Sequence, residues 1–284
     1  MPTAAKLAIS NIAWDPLDDA AAAELMRAEG FTGLEIAPTV RWSSPMEVPD
    51  HDVDAYRAWW EERGIRVVAL QSLLFGRPDL VLFGSESARR ALADHFTGMI
   101  ALARRLGAGV LVFGSPKNRQ RGAVPLAEAM AIAAEFFRRV GAVAAANATK
   151  ICIEPNPPDY GCDFITTTAE AAALCARVAS PGVLVQGDLG AMQMVGDSPA
   201  VAIAAAGSRI GHFHASEPNL AESGSGPAGA KPHEEAAHAL REQAYPGWIS
   251  IEMRRLNAPG HDGSVERVRR ALRVVRRAYG DPRA

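Results

Sequence analysis

A regular alternation of short apolar runs with longer stretches of helical period constrains the fold of this chain more than any other feature. The apolar runs are rich in β-branched residues, and eight can be counted, at Leu7–Ala13, Gly33–Ile36, Arg66–Gln71, Val110–Phe113, Lys150–Glu154, Val183–Asp188, Arg209–Ala215 and Trp248–Met253. Alternation of this kind is typical of repeated β–α units that build a parallel sheet. The sequence therefore predicts eight parallel strands.

Eight stretches of helical period lie between and after these runs, at Leu17–Glu29, Val53–Arg63, Ser85–Leu106, Pro125–Ala146, Ala169–Val178, Pro199–Ala206, His233–Gln243 and Ser264–Tyr279. An open doubly wound sheet would show the same alternation, but no GxGxxG motif follows the first strand. Polar residues also recur at the ends of several strands rather than at one switch point. We therefore predict an α/β fold, a (β/α)8 TIM barrel, as a single domain spanning 1–284 with the barrel over about 6–280.

Composition and charge exclude several classes of protein. Hydrophobic residues make up 48% of the chain and charged residues 22%, as in globular proteins. The net charge of −2 gives no field that would attract nucleic acid or an anionic membrane, and no apolar run reaches the ~18 residues of a membrane span. Cys152, Cys162 and Cys175 form no CxxC pair, and the N-terminus has no signal-peptide pattern. We therefore expect a cytoplasmic protein.

An ionisable side chain interrupts or ends each of the last four predicted strands. These side chains belong to Glu154, Asp188, His214 and Glu252. Each alone has an ordinary explanation, such as a salt bridge, a helix cap or a buried structural histidine. However, a buried carboxylate is costly unless it is paired or bound to a cation, and barrel strands end together on one face. We therefore predict that the four residues bind one divalent metal ion.

Three carboxylates and one imidazole form a hard, oxygen-rich ligand set. Such a set favours Mn²⁺, with Mg²⁺, Co²⁺ or Zn²⁺ as alternatives. Without a cation, the clustered carboxylates would repel one another and hold at least one proton.

Six motifs distributed over nearly the whole chain share a pattern with a known family. They are GFTGLEI, VFGSPKNR, IEPNP, GDLG, HFHASEPN and YPGWISIEMR, in that order. On these motifs the chain resembles the xylose-isomerase-like TIM barrels of the sugar phosphate isomerase/epimerase superfamily. The resemblance implies that Glu154, Asp188, His214 and Glu252 hold the metal, and that the two glutamates also act as catalytic acid and base.

Two positions differ from the epimerase members of that family. Those members usually carry a second histidine three residues after the strand-six aspartate, where this chain has Ala191. They often carry an arginine after the strand-seven motif, where this chain has Leu220. Because both residues contact substrate in those relatives, the resemblance does not identify the substrate.

Five further residues are candidates for substrate binding. Glu217 could hydrogen-bond a substrate hydroxyl or form a structural salt bridge, and Asn156 could bind substrate or cap a turn. Lys117 and Arg119, after strand four, could bind a carboxylate or phosphate, or belong to a solvated basic loop. His212 faces the same side of its strand as the predicted histidine ligand, either as its partner or as core filler.

The residues and the resemblance together imply a metal-dependent isomerase or epimerase of a sugar or sugar phosphate, acting by proton transfer through a metal-bound enediolate. A dehydratase of a keto-polyol or of a dehydroshikimate-like acid is the nearest alternative. A non-catalytic sugar-binding protein is the alternative from another class, and a DNA repair enzyme of the same superfamily would need extra histidines and a basic surface. The expected partner is a small-molecule sugar or keto-polyol, without nucleic acid or membrane, and the formation of a homo-oligomer stays open.

Overall fold

The computed structural model describes residues 5–256 and 262–280, and its eight strands close into a parallel barrel in chain order. The strands are β1 (Lys6–Ser10), β2 (Gly33–Ile36), β3 (Arg66–Leu70), β4 (Val110–Phe113), β5 (Lys150–Ile153), β6 (Val183–Asp188), β7 (Ile210–Ser216) and β8 (Trp248–Glu252). Pairing of β1 with β8, from Lys6 opposite Trp248 to Ile9 opposite Ile251, closes the barrel. The predicted (β/α)8 TIM barrel is confirmed, and an open doubly wound sheet is excluded because it would have two free edges.

Ten α-helices lie in the described part of the chain. They are α1 (Asp19–Ala28), α2 (Pro38–Arg41), α3 (Asp50–Glu61), α4 (Glu86–Leu106), α5 (Leu126–Ala146), α6 (Thr168–Val178), α7 (Leu189–Val195), α8 (Pro199–Ala206), α9 (Lys231–Glu242) and α10 (Asp262–Tyr279). Eight of them correspond to the predicted helices. The other two, α2 and α7, have four and seven residues, too few for a helical period to show in the sequence. None of these helices is long and apolar enough to cross a membrane.

Helix α4 illustrates how local sequence sets these elements. Ser85 caps its start by accepting a hydrogen bond from the backbone N–H of Ala88, and Gly107 ends it with a φ of 81°. Its buried face consists of residues at helical spacing, including Leu92, Phe96, Met99, Ile100, Ala103 and Leu106. Burial of this face against the barrel, rather than propensity alone, holds the helix in place.

The side chains inside the barrel change from apolar to polar along the strands. The apolar set comprises Ala8, Val68, Ala69, Val110, Val112 and Cys152. Near the C-terminal ends of the strands, the buried side chains are instead polar, and include Ser10, Glu35, Gln71, His212, His214 and Ser250. Buried polar groups are costly unless they find partners. The C-terminal end of the barrel is therefore the part whose residues require a further explanation.

Candidate metal centre

The four residues predicted to bind a metal lie together at the C-terminal end of the barrel. Glu154 directly follows β5, Asp188 ends β6, His214 lies in β7 and Glu252 ends β8. The strand register places Asp188 opposite His214 on the neighbouring strand, and Glu252 opposite Ser216, two residues further along β7. Each residue offers one ligand atom, and these atoms all lie within 4.8 Å of one another.

The Nδ1 atom of His214 is the point that the three carboxylates share. It lies 3.3 Å from Oε1 of Glu154, 3.4 Å from Oδ2 of Asp188 and 3.2 Å from Oε2 of Glu252. An ion with bonds of about 2.0 to 2.2 Å places neighbouring ligand atoms about 3 Å apart. The observed spacing therefore fits one divalent cation among the four groups.

Glu35 on β2 determines which nitrogen of His214 faces the carboxylates. Its carboxylate lies 3.0 Å from Nε2 of His214 and 3.2 Å from Nε2 of His212, and all three side chains are fully buried. A carboxylate accepts hydrogen bonds, so both Nε2 atoms carry a proton. Nδ1 of neutral His214 then presents a lone pair to the centre, as in other carboxylate–histidine pairs that orient metal ligands.

Reasoning from the sequence did not identify Glu35. It carries the same signal as the four predicted ligands, an ionisable side chain within an apolar strand, here the GLEI segment of β2. Its contact with His214 joins residues that are 179 positions apart in the chain. Only closure of the barrel brings them together.

The composition of the cluster favours a positive charge at its centre. Nδ1 of His214 is buried and has no hydrogen-bond partner among the described residues. Three carboxylate oxygens and a lone pair in one buried place repel one another unless a cation or a proton lies between them. The donor set therefore fits a divalent metal ion.

Protons compete with a cation for these groups. Burial raises the pKa of the Glu252 carboxyl to about 7; the charge of His214 opposes this shift, while Glu154 and Asp188 add to it. Burial lowers the pKa of His214, but the carboxylates around it, first Glu35 and then Glu252, raise that pKa well above its usual value. A metal ion must therefore displace protons when it binds at or below neutral pH.

Hydrogen bonds from the surrounding chain orient two of the carboxylates. Asp188 caps α7 by accepting from the backbone N–H of Ala191 at 2.6 Å, and it accepts from the Ser216 hydroxyl at 2.9 Å. The Nδ2 atom of Asn156 donates to Oε2 of Glu154 at 3.1 Å. Each carboxylate thus keeps one oxygen turned to Nδ1 of the histidine.

Two neighbouring residues also restrict the positions of the glutamate side chains. With its amide nitrogen turned to the carboxylates, Gln71 donates to Glu35 and to Glu252 at 3.2 Å each. Gly114, after β4, leaves the space that Glu154 occupies, because a Cβ at Gly114 would collide with Oε2 of that glutamate. Both contacts restrict the carboxylates to the geometry of the centre.

A cavity of about 300 Å³ lies against the cluster. Besides the three carboxylates, its lining contains polar side chains able to bind hydroxyl groups, namely Gln71, Ser72, Ser115, Asn156, Tyr160 and Glu217. Arg254 is the one cationic residue among the described residues that line it. The backbone N–H of Arg254 donates to the carbonyl of Leu220 at 2.8 Å, which places this arginine where the segments after β7 and β8 meet.

The predicted substrate-binding residues divide into two groups. Glu217 and Asn156 line the cavity beside the cluster. Lys117 is exposed on the 3-10 turn Pro116–Arg119 and is absent from the cavity lining. Tyr160 and Arg254, which line the cavity, were not predicted, because a loop tyrosine and a loop arginine carry no local signal in a single sequence.

Arg119 and His212 lie behind the cavity wall. Arg119 is 1% exposed, its Nη2 donates to the backbone carbonyl of Glu154, and its guanidinium lies 5.7 Å from the centre of the Phe113 ring. His212 is buried at Glu35, in the layer that supports the candidate ligands. Neither residue is among those that line the cavity.

A family model described as the xylose isomerase-like TIM barrel matches residues 23–278. The chain belongs to this family. Among curated proteins, none matches the sequence of this xylose isomerase-like barrel.

Solved structures share the fold of this xylose isomerase-like barrel at low sequence identity. D-Psicose 3-epimerase from Clostridium cellulolyticum H10, solved with D-tagatose, is 20% identical with a TM-score of 0.80, over 97% of this chain and 100% of that one. The IolI protein, solved with a zinc atom, is 18% identical with a TM-score of 0.73, over 96% and 99%. The probable 3-DHS dehydratase AsbF from Bacillus anthracis is 15% identical with a TM-score of 0.69, over 95% and 98%.

Proposed function

We propose that this protein is a divalent-metal-dependent isomerase or epimerase that moves a proton on the carbon next to a sugar carbonyl. One observation carries the proposal: Glu154 and Glu252, from strands that are not neighbours, share a cation-fitting centre at the wall of a polar cavity. Two carboxylates that enter from different strands can reach different faces of one substrate. This is the arrangement that proton removal and proton return require.

A proton next to a carbonyl is weakly acidic, so its removal needs a base and a means of stabilising the carbonyl oxygen. A divalent ion held by Glu154, Asp188, His214 and Glu252 would polarise the substrate's carbonyl and neighbouring hydroxyl oxygens, a contribution of several kcal/mol. A carboxylate positioned as acid or base adds roughly 10²- to 10⁴-fold.

The two glutamates then divide the reaction between them. One removes the proton from its face of the substrate, and the other delivers a proton to the opposite face of the same carbon, which gives an epimer. Return of the proton to the adjacent carbon would instead exchange an aldose with a ketose. Both outcomes need the same residues.

We infer a small sugar or keto-polyol as substrate and Mn²⁺ as metal. The cavity's Ser72, Ser115 and Tyr160 side chains can each exchange hydrogen bonds with hydroxyl groups. The three carboxylates form a harder ligand set than structural zinc sites use. The fold shared with D-psicose 3-epimerase and with zinc-bearing IolI supports a sugar substrate and a divalent ion.

A dehydratase acting on a keto-polyol or a dehydroshikimate-like acid is the second candidate. One glutamate could remove the proton, after which the β-hydroxyl would leave as water with a proton supplied by the other glutamate. Arg254 favours this reading for an acid substrate, since it supplies a cation that could pair with a carboxylate. The fold shared with the probable 3-DHS dehydratase agrees with it.

A solvent-exchange screen tests the proposal. The Mn²⁺-loaded protein is incubated in D2O with ketoses, sugar phosphates, keto-inositols and 3-dehydroshikimate, and NMR follows carbon-bound deuterium. Epimerase or isomerase activity gives deuterium next to the carbonyl in a rearranged sugar, whereas dehydration gives an unsaturated product. Binding of a sugar with no deuterium incorporation would favour a non-catalytic sugar-binding protein. The variant His214→Ala, which removes a predicted ligand, serves as the inactive control.

A further inference from the structure

Three buried polar side chains form a hydrogen-bonded chain that starts at the cavity. Glu217 follows β7, His233 lies in the first turn of α9, and Tyr279 ends α10. Nε2 of His233 lies 3.1 Å from Oε1 of Glu217, and the Tyr279 hydroxyl lies 3.3 Å from Nδ1 of His233. Their exposed fractions are 2%, 0% and 2%.

The chemistry of the three groups determines which of them donates and which accepts in each of the two hydrogen bonds. The Glu217 carboxylate can only accept, so Nε2 of His233 carries the proton and donates it. Nδ1 of the neutral ring is then an acceptor, and the Tyr279 hydroxyl donates to it. Burial raises the pKa of Tyr279 well above its usual value, so this hydroxyl keeps its proton.

A loop places a second donor on the same carboxylate oxygen. The backbone N–H of Gly224 donates to Oε1 of Glu217 at 2.8 Å, with Gly224 at a φ of 76°. The Ser223 hydroxyl fixes this loop to the barrel by donating to the carbonyl of Ala215 at 3.5 Å. Oε1 of Glu217 is therefore fully occupied by donors from the protein.

The other oxygen of Glu217, Oε2, has no donor among the described residues. A Cβ at Gly226 would lie 3.1 Å from Oε2, so the missing side chain at Gly226 leaves this oxygen room. Glu217 is one of the residues that line the cavity and is 2% exposed, so this acceptor without a protein donor belongs to a residue beside the space for substrate. Buried acceptors in this state usually have a partner, and a hydroxyl group in the cavity would provide one.

We propose that His233 and Tyr279 are positioning residues that hold Glu217 so that its Oε2 accepts a hydrogen bond from a substrate hydroxyl. The inference rests on the proposed function only in taking the substrate to be a polyol. None of the three residues hydrogen-bonds to Glu154, Asp188, His214 or Glu252 in the described structure. Their contribution is therefore to substrate affinity and not to metal affinity.

Ketohexose binding and Mn²⁺ binding, measured separately by calorimetry, test this assignment. The Mn²⁺-loaded protein is titrated with ketohexoses, beginning with D-fructose. A hydrogen bond to a charged group contributes enough that Glu217→Gln and Tyr279→Phe should each weaken sugar binding about tenfold. His233→Gln keeps an N–H near the position of Nε2 and should retain more affinity than His233→Ala. In all four variants the dissociation constant of Mn²⁺ should stay within about twofold of wild type.

Tyr245→Phe is the matched control, because the Tyr245 hydroxyl donates to the backbone carbonyl of Trp248 at the opposite end of the barrel. It should lower the melting temperature as Tyr279→Phe does, without changing sugar affinity.

In the Glu217→Gln background, adding Tyr279→Phe should cause no further loss of sugar affinity, since Tyr279 acts through Glu217.

The outcomes separate this inference from the proposed function. Wild-type sugar affinity in Glu217→Gln, or in Tyr279→Phe, would overturn the positioning role, as would a tenfold change in Mn²⁺ affinity. A wild-type protein that binds ketohexoses but exchanges no carbon-bound proton would overturn the proposed activity and leave the role of Glu217 standing. A wild-type protein that binds no ketohexose would overturn the assignment of Oε2 to a ketohexose hydroxyl, whereas the proposed activity would still be decided by the solvent-exchange screen with sugar phosphates and keto-inositols.

Discussion

Nε2 of His214 lies 3.0 Å from the buried carboxylate of Glu35, and this contact turns the opposite nitrogen of the ring towards the candidate metal centre. Glu35 also accepts from Nε2 of His212, so one buried carboxylate binds both histidines beneath the centre. Burial alone would raise the pKa of Glu35, but the charges of His214 and His212 lower it far below the usual value. Glu35 therefore stays ionised and keeps its role as acceptor.

Replacement of Glu35 should weaken metal binding although this residue is not a predicted ligand. Glu35→Gln removes the negative charge that makes His214 basic, and loss of such supporting partners typically lowers metal affinity about 10- to 100-fold. Calorimetric titration of the metal-free protein with Mn²⁺ measures the change. Glu29→Gln, which alters a carboxylate paired with Arg273 outside the barrel, is the control and should leave the affinity unchanged. Equal affinities in wild type and Glu35→Gln would contradict the supporting role.

Metal removal should lower the thermal stability of the protein. An ion that binds only the folded state stabilises it by about 2.7 kcal/mol when present at a hundredfold excess over its dissociation constant. Differential scanning calorimetry with and without EDTA should therefore show a fall of several degrees. The variants His214→Ala and Asp188→Asn should melt at a temperature that EDTA no longer changes. An EDTA-insensitive wild type would count against the centre.

Metal affinity should decrease as the pH falls through about 7. The pKa of Glu252 is raised to about 7 by burial, and that of His214 is raised by the carboxylates around it, so both groups hold protons in the metal-free protein at lower pH. Each proton that the metal displaces weakens apparent binding by about tenfold per pH unit below the relevant pKa. Mn²⁺ titrations at several pH values between about 5.5 and 8 should show this slope, together with proton release. A flat profile would mean that the centre binds metal without losing protons.

Replacing either of the two glutamates by glutamine should reduce turnover while part of the metal affinity remains, unlike replacement of the other two candidate ligands. Glu154→Gln and Glu252→Gln keep an oxygen for the metal but cannot act as a base, so each should lose at least roughly 10²- to 10⁴-fold in turnover while part of the metal affinity remains. If each carboxylate serves one face, a single variant still exchanges one carbon-bound proton with D2O while forming no rearranged sugar. NMR of the recovered sugar distinguishes the two results. Turnover at the wild-type rate in both variants would refute the two-base mechanism.

The positions of Glu154, Asp188, His214 and Glu252 could be predicted as a group, although their binding of a metal stays a prediction. Each is next to or within an apolar strand, and a parallel barrel brings all strand ends of one polarity to one face. Glu217 and Asn156 follow directly after strand motifs and reach the cavity for the same reason.

Local periodicity was sufficient for the sequence by itself to determine the eight strands, the eight main helices and their order, because hydrophobic period and strand–helix alternation are properties of neighbouring residues. The prediction of a closed barrel rather than an open sheet needed two further features of the sequence, the missing GxGxxG motif and the polar residues at several strand ends. The contact of Glu35 with His214, the chain from Glu217 to Tyr279 and the burial of Arg119 were decided only by the tertiary structure. These contacts join side chains that are distant in the chain, and they depend on barrel closure, on helix packing and on which side-chain conformation satisfies the most buried hydrogen bonds. A single sequence carries no local signal for any of those three conditions.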